Sequence, residues 1–298
     1  MEDGIVAKVL LPLALGVIML GLGLGLTLDD FKRVARVPKA VIVGLFCQMV
    51  ILPAACFGIA LAFALPPELA VGLMLLAASP GGATANLYSH LAHGDVALNI
   101  TLTAVNSLLS LFTLPLIVNF ALAQFMGEER AIPLQFGKVV QVFAIVLGPV
   151  SIGMLVRAKR RAFALRMERP VRILSAVLLA AIVVAALVKQ ADELAAAFAS
   201  VGLAALTFNV VSMGVGYGVP KLLRLPESQA IAIGMEIGIH NGTLAIALAL
   251  SPQILNNPTM SIPPAIYSII MFFTAALFGW LVSRRASVTV PSAEPSAD

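Results

Sequence analysis

Glu236-Ile237-Gly238-Ile239-His240-Asn241-Gly242-Thr243 stands in the middle of one apolar run, and Ser79-Pro80-Gly81-Gly82-Ala83-Thr84-Ala85-Asn86 stands in the middle of another. Both are poor helix interiors. Proline removes a backbone donor and glycine lowers helix propensity, so each segment is expected to unwind and to free carbonyls and half-helix ends. Lipid cannot satisfy such groups, so the interruptions belong inside protein or beside a cavity. An isolated glycine or proline only kinks a membrane helix or lets neighbours pack closely. Two interruptions in corresponding apolar spans, flanked by Asn, Thr and Glu, point instead to a binding site near the membrane midplane.

The surrounding composition demands a membrane. Of 298 residues, 60% are hydrophobic and only 11% charged, with a mean hydropathy of +1.01. A soluble domain carries about a quarter of its residues as charges, so this chain lacks the polar material for a water-facing surface, and disorder is excluded on the same ground. The net charge of +4 does not imply nucleic acid, because the basic residues cluster at the ends of apolar runs and none are interleaved with aromatics. Cys47 and Cys56 are the only cysteines. One helix separates them by about 13 Å at 1.5 Å per residue, too far for a mutual disulfide.

A window of about 20 residues finds nine candidate spans: 5–27, 39–64, 69–92, 96–124, 134–157, 171–188, 196–222, 228–250 and 263–282. The acidic start Met1-Glu2-Asp3-Gly4 lacks the basic region of a signal peptide, so the first span is expected to be retained. The segment from Ala286 to Asp298 is polar and proline-rich, as a disordered tail would be. Loops after spans 1, 5, 7 and 9 hold fifteen of the 19 basic residues, among them Lys32, Arg33, Arg160, Lys221 and Arg285. That bias places the carboxyl terminus in the cytoplasm and, with nine spans, the amino terminus outside. An offset of about 155 residues superimposes spans 2 and 3 on spans 7 and 8 in opposite orientation, the pattern of an inverted repeat. Span 5 then opens a second five-helix unit whose partner in the first is missing.

Within this frame Glu236 is the one acidic residue deep inside an apolar span, where an ionised group costs at least about 2.5 kcal/mol unless paired or hydrated. No basic residue lies mid-span, so its partner is a cation, a proton or water. Asn99, Thr103, Asn106 and Ser110 recur on one face of span 4, which must turn inward. Such a stripe serves helix–helix hydrogen bonding, or, beside Asn86 and Glu236, supplies oxygen donors to a hard monovalent cation. Gln48, alone in the middle of span 2, carries the same two readings. His90, His93 and Asp95 have metal-like spacing, but they lie at a helix end beside a turn and no third intramembrane ligand accompanies them.

Ser79-Pro80-Gly81-Gly82, Asn86, Gly94-Asp95-Val96-Ala97-Leu98 with Thr101 and Thr103, and Glu236-Ile237-Gly238 with Asn241 resemble the signature of the bile acid:sodium symporter family. Leu28-Asp29-Asp30-Phe31 is similar to that family's early cytoplasmic loop. The resemblance covers nearly the whole chain, which begins where the second helix of ten-helix bacterial members would. It implies an inverted-repeat carrier of panel and core domains with two crossing broken helices, taking up organic anions with sodium. The family's first sodium pattern falls on Asn86, Asn99, Thr103 and Glu236, with Ala85 and Asn99 where serines are usual. The second falls on Gln48, Glu236, the backbone of Ile237 and Ile239, and His240 in place of a usual glutamine. Asn241, Gly242, Thr84 and Asn86 at the half-helix ends stand as substrate contacts.

The expectation is therefore an all-α membrane protein of nine transmembrane helices in the inner membrane of a bacterium. Panel helices are expected at about 5–64 and 171–222 and core helices at about 69–157 and 228–282, with a tail at 286–298. The function expected is sodium-coupled import of a small organic anion by alternating access, with Na+ at two sites and no catalysis. Two other classes are open: a proton-coupled carrier or exporter using Glu236 and His240, since imidazole titrates near physiological pH, and an intramembrane metal-dependent hydrolase using His90 and His93. Substrate identity and oligomeric state are not encoded legibly.

Overall fold

Turn chemistry divides the chain into helices whose ends recur in pairs. A computed structural model describes residues 11–127, 136–167, 191–251 and 254–288, with a few positions between 169 and 177. The helices are α1 (Leu11–Gly25), α2 (Pro38–Ala62), α3 (Pro67–Ala78), α4 (Ala83–Leu91), α5 (Val96–Met126), α6 (Phe136–Lys159), α7 (Ala191–Leu222), α8 (Glu227–Gly238), α9 (Gly242–Leu250) and α10 (Ile262–Val288). Among the described residues there is no strand. Among those residues four helices are long and apolar enough to cross a membrane: Pro38–Ala62, Val96–Met126, Val201–Leu222 and Thr259–Ser283. The start of the first expected span, most of the sixth (171–188) and tail residues 289–298 lie outside the described residues. Helix α10 continues to Val288, into the segment from Ala286 that was expected to be a disordered tail.

The paired ends have a common cause. Just past the ends of α2 and α7 the chain turns left-handed, at Ala64 (φ 47°) and Arg224 (φ 57°). After each, a leucine N–H reaches back, Leu65 to the Ala60 carbonyl at 3.0 Å and Leu225 to that of Pro220 at 2.9 Å. Both leucines are buried, completing the left-handed helix stop with its apolar contact. Pro66 and Pro226 follow and cap the next helices. Those helices, α3 and α8, are 12 residues long, and each leads through a break into a helix of 9, α4 or α9.

Every residue of α3 from Leu69 and of α8 from Ala230 is buried, so these two half-helices form the centre of the molecule. A helix apolar all round belongs in an interior. Helices α2 and α7 lie against them, and α5 and α10 complete the surround. In lipid such contacts depend on close packing rather than on the hydrophobic effect. Gly216 of α7 shows the closeness: a Cβ there would overlap the Ile237 side chain and stand 2.9 Å from the Gly234 Cα. Helices α1 and α6 pack on each other through Gly23 and Gly153, each facing the other helix's backbone.

At one end of the bundle three loops meet. Arg33 pairs with Asp95 at 3.3 Å, Lys39 donates to the Leu223 carbonyl at 2.7 Å, and the Asp95 N–H bonds the Ser228 carbonyl at 2.8 Å. Asp95 also caps α5 by accepting the Leu98 N–H at 3.0 Å. His90 and His93 beside it are exposed, and among the described residues no three such side chains come together to hold a metal. Cys47 and Cys56 are both free and buried.

Candidate functional site at the helix crossover

The two breaks cross and complete each other. Ser79 precedes a proline, which pushes it out of the helical region to φ −75°, ψ 145°, and ends α3. Opposite, the chain leaves α8 at Ile239 (φ −112°, ψ 86°). Gly81 and His240 form an isolated antiparallel bridge. The Gly82 N–H donates to the Ile239 carbonyl at 2.7 Å and the Asn241 N–H to the Pro80 carbonyl at 2.8 Å. Each break thus supplies one donor and one acceptor to the other, as irregular backbone inside a membrane requires. Asn241 then caps α9 through its side-chain carbonyl, which accepts the Leu244 N–H at 3.0 Å.

Glu236 lies two residues before the end of α8 and is 1% exposed. Thr103 Oγ1 sits 2.7 Å from Glu236 Oε2 and 3.1 Å from the Asn99 carbonyl. The hydroxyl has one proton to give, and the shorter contact with the carboxylate claims it. Glu236 Oε1 has no hydrogen-bond partner. The carboxylate rests on Gly81, where any Cβ would overlap it. Asn99 donates through its side chain to the Ala232 carbonyl at 2.7 Å, tying α5 to α8 one turn before Glu236, and its side-chain oxygen Oδ1 is unpartnered. The whole stripe of Asn99, Thr103, Asn106 and Ser110 is buried.

On the other flank Gln48, in a π-helical turn of α2, donates through Nε2 to the Ser79 carbonyl at 3.0 Å. His240 Nδ1 lies 3.3 Å from that same carbonyl and 3.5 Å from Gln48 Nε2. If the imidazole donates from Nδ1 to Ser79, its Nε2 is left as an acceptor, and Nε2 has no partner. The ring is held between Phe208, stacked at 5.6 Å, and Tyr267, edge-on at 5.4 Å. Gln48 Oε1 is likewise buried and unpartnered.

The residues expected at the first sodium pattern therefore divide. Thr103 contacts Glu236 and Asn99 adjoins it through Thr103, while Asn86 is half-buried with an unpartnered side-chain oxygen. In the second pattern Gln48 and His240 meet at Ser79, and the Ile239 carbonyl is already engaged by Gly82. The Ile237 carbonyl meets no backbone donor among the described residues. Of the expected substrate contacts, Thr84 and Asn241 are half-buried and Gly242 is buried. The chemical character is uniform: the oxygens of Glu236, Asn99, Gln48 and Asn86 are buried and unpartnered, and the carboxylate has no basic partner among the described residues. Hard cations favour such donors.

Two residues here went unremarked in the sequence. Asn209 of α7 and Tyr267 of α10 both bond the Gly238 carbonyl, each at 3.0 Å. Asn209 could have been found by the rule that singled out Gln48, a lone amide inside an apolar span. Tyr267 had no such signal.

Comparison with known proteins agrees with this chemistry. The profile of the Sodium Bile acid symporter family matches residues 12–197. The chain is 30% identical over 256 residues to an uncharacterized sodium-dependent transporter of Bacillus subtilis, covering 86% of this chain and 77% of that protein. It is 30% identical to a probable chloroplastic sodium/metabolite cotransporter of rice, over 88% of this chain and 61% of the other. With human sodium/bile acid cotransporter 4 the identity is 28%, over 95% of this chain and 65% of the other.

Proposed function

We propose that this chain, which belongs to the sodium bile acid symporter family, imports a small organic anion by alternating access, with sodium bound at the crossover of its broken helices. As a family member it is a sodium-dependent membrane transporter and not an enzyme. The observation that carries the finer reading is Glu236: a buried carboxylate with one oxygen bonded to Thr103, the other unpartnered, and no basic neighbour among the described residues to neutralise it. A cation satisfies that oxygen and the charge together, at far less cost than leaving the ion bare in a membrane.

The chemistry of the donors supports two sodium sites. One uses Glu236, Thr103, Asn99 and Asn86. The other uses Gln48, Glu236, His240 and the backbone of Ile237 and Ile239. With cations in place the net charge of the crossover turns positive, and the N-terminal ends of α4 and α9, near Thr84, Asn86, Asn241 and Gly242, favour an anionic group.

The 12- and 9-residue halves of both broken helices support an inverted repeat within nine spans. The packing favours a different division from that expected at about 5–64 and 171–222 against 69–157 and 228–282. Helices α2 and α7 go with the broken helices, and α1 with α6 forms the other body. The basic loops at the Arg33–Asp95 end support a cytoplasmic position for that face in a bacterial inner membrane.

The test is uptake by purified protein in liposomes. An inward sodium gradient should drive accumulation of at least one compound from a panel of labelled carboxylates and sulfonates. Transport that follows an imposed proton gradient in sodium-free buffer, and ignores sodium, would overturn the coupling.

A further inference from the structure

Two carbonyl oxygens at the crossover each receive two side-chain hydrogen bonds. Ser79 takes them from Gln48 and His240, inside the second proposed cation site. Gly238 takes them from Asn209 Nδ2 and the Tyr267 hydroxyl, both at 3.0 Å and both from residues assigned no role. Asn209 and Tyr267 are 0% exposed, so neither bond competes with water.

Gly238 is the last residue of α8, two beyond Glu236. The final carbonyls of a helix lack intrahelical donors, and in a membrane interior they must be met by protein or ligand. Here the engagement is selective. Gly238 is held by Asn209 and Tyr267, and Ile239 is held by Gly82, while the Ile237 carbonyl is met by no backbone donor among the described residues. The Glu236 carbonyl likewise meets none, so the carbonyls left open belong to the residue that bears the carboxylate and to its chain neighbour. The two donors come from different helices, α7 and α10, and pin one atom from two directions. Gly238 also packs closely on α7, since a Cβ there would overlap the Met213 side chain. Tyr267 spends its only proton on Gly238 and cannot satisfy Asn209 Oδ1, which is buried and unpartnered.

We propose that Asn209 and Tyr267 are positioning residues for cation binding, two redundant donors that hold the Gly238 carbonyl and thereby fix the Glu236–Ile237 backbone. The inference rests on the sodium reading of the crossover. Redundancy gives it a signature. Removing one donor leaves the carbonyl bonded, whereas removing both leaves a buried acceptor unsatisfied and frees the helix end to twist toward a new partner. The effects of the two substitutions therefore multiply out to much less than their combination.

The experiment is a sodium titration of the thermal unfolding midpoint of the purified full chain, with potassium keeping ionic strength constant. Asn209→Leu keeps the branched heavy-atom shape and Tyr267→Phe deletes only the hydroxyl, and each removes one donor. Each should raise the sodium half-saturation about two- to threefold, and the double variant at least about tenfold beyond the product of the singles. Thr274→Val, removing a half-buried hydroxyl from the same helix as Tyr267, should leave it unchanged, which separates positioning from general loosening. A double variant that matches the product of its singles overturns the proposal. Should the double variant not purify folded, Tyr267→Phe decides: a half-saturation no higher than in Thr274→Val overturns it, and a rise of at least about twofold supports it. A wild-type protein with no response to sodium overturns the sodium reading and this inference with it, whereas a responsive wild type with an unshifted double variant overturns this inference alone.

Discussion

The carboxylate of Glu236 rests on the backbone of Gly81, a residue of the opposite broken helix, so closely that any side chain at position 81 would occupy its place. Gly81 is not in a left-handed conformation, so alanine fits its backbone and the closest conflict is with the carboxylate. Gly81→Ala should therefore yield folded protein whose sodium half-saturation rises at least about tenfold. Thermal shift with and without sodium measures both. An unchanged sodium response would mean that the carboxylate is free to move without consequence.

Glu236→Gln keeps the shape and removes the charge. It should insert and purify normally, because the neutral amide has no ionisation to compensate in the membrane, and it should abolish sodium-driven uptake. Wild-type uptake in this variant contradicts the proposed role.

Thr103→Val is the milder companion. It retains the β-branched shape and deletes the hydroxyl that bonds Glu236 Oε2 at 2.7 Å. A hydrogen bond to a charged group contributes about 1.5–3 kcal/mol, so sodium affinity should fall about tenfold with the maximal uptake rate retained. Equal loss of rate and affinity would place Thr103 in the transport cycle rather than in the ion site.

His240→Gln tests coupling. The amide offers the Ser79 carbonyl a donor and the site a carbonyl oxygen, and it does not titrate as imidazole does. Sodium-driven uptake should survive with less inhibition by acid. Accumulation driven by protons without sodium in the parent, and lost in this variant, argues for the carrier alternative.

Topology has its own readout. Arg33, Lys39 and Lys221 lie at the end where Asp95, Leu223 and Glu227 meet them. A reporter fused after Arg285 should read cytoplasmic, and a periplasmic reading reverses the direction assigned to transport.

Much of the site was legible because its signals are local. Pro80 and the glycines announce a break, Glu236 announces a charge without a partner, and Asn99 to Ser110 announce a face by their spacing. What was not legible depends on contacts between distant segments. Nothing in the sequence says that Gln48 spends its amide on Ser79 and keeps its carbonyl oxygen free, or that Tyr267 reaches Gly238. The grouping of helices was also hidden. Spans with one polar residue each look alike as lipid-facing panels or as neighbours of a polar centre, and only packing distinguishes them: α2 and α7 turn Gln48 and Asn209 toward the breaks.

The mutual completion of the breaks also bears on how the chain is made. Ser79 and His240 are 161 residues apart, and ribosomal synthesis delivers the first long before the second. Until then Pro80 lacks the Asn241 N–H, Gly82 lacks the Ile239 carbonyl, and an unwound segment would sit unpaired in hydrocarbon. The amino-terminal half is therefore an orphan in the bilayer, to be held by the insertion machinery or kept near the interface until its counterpart arrives. A ribosome stalled before position 239 should leave a nascent chain that proteases and membrane quality control remove, and separately synthesised halves should protect one another when co-expressed.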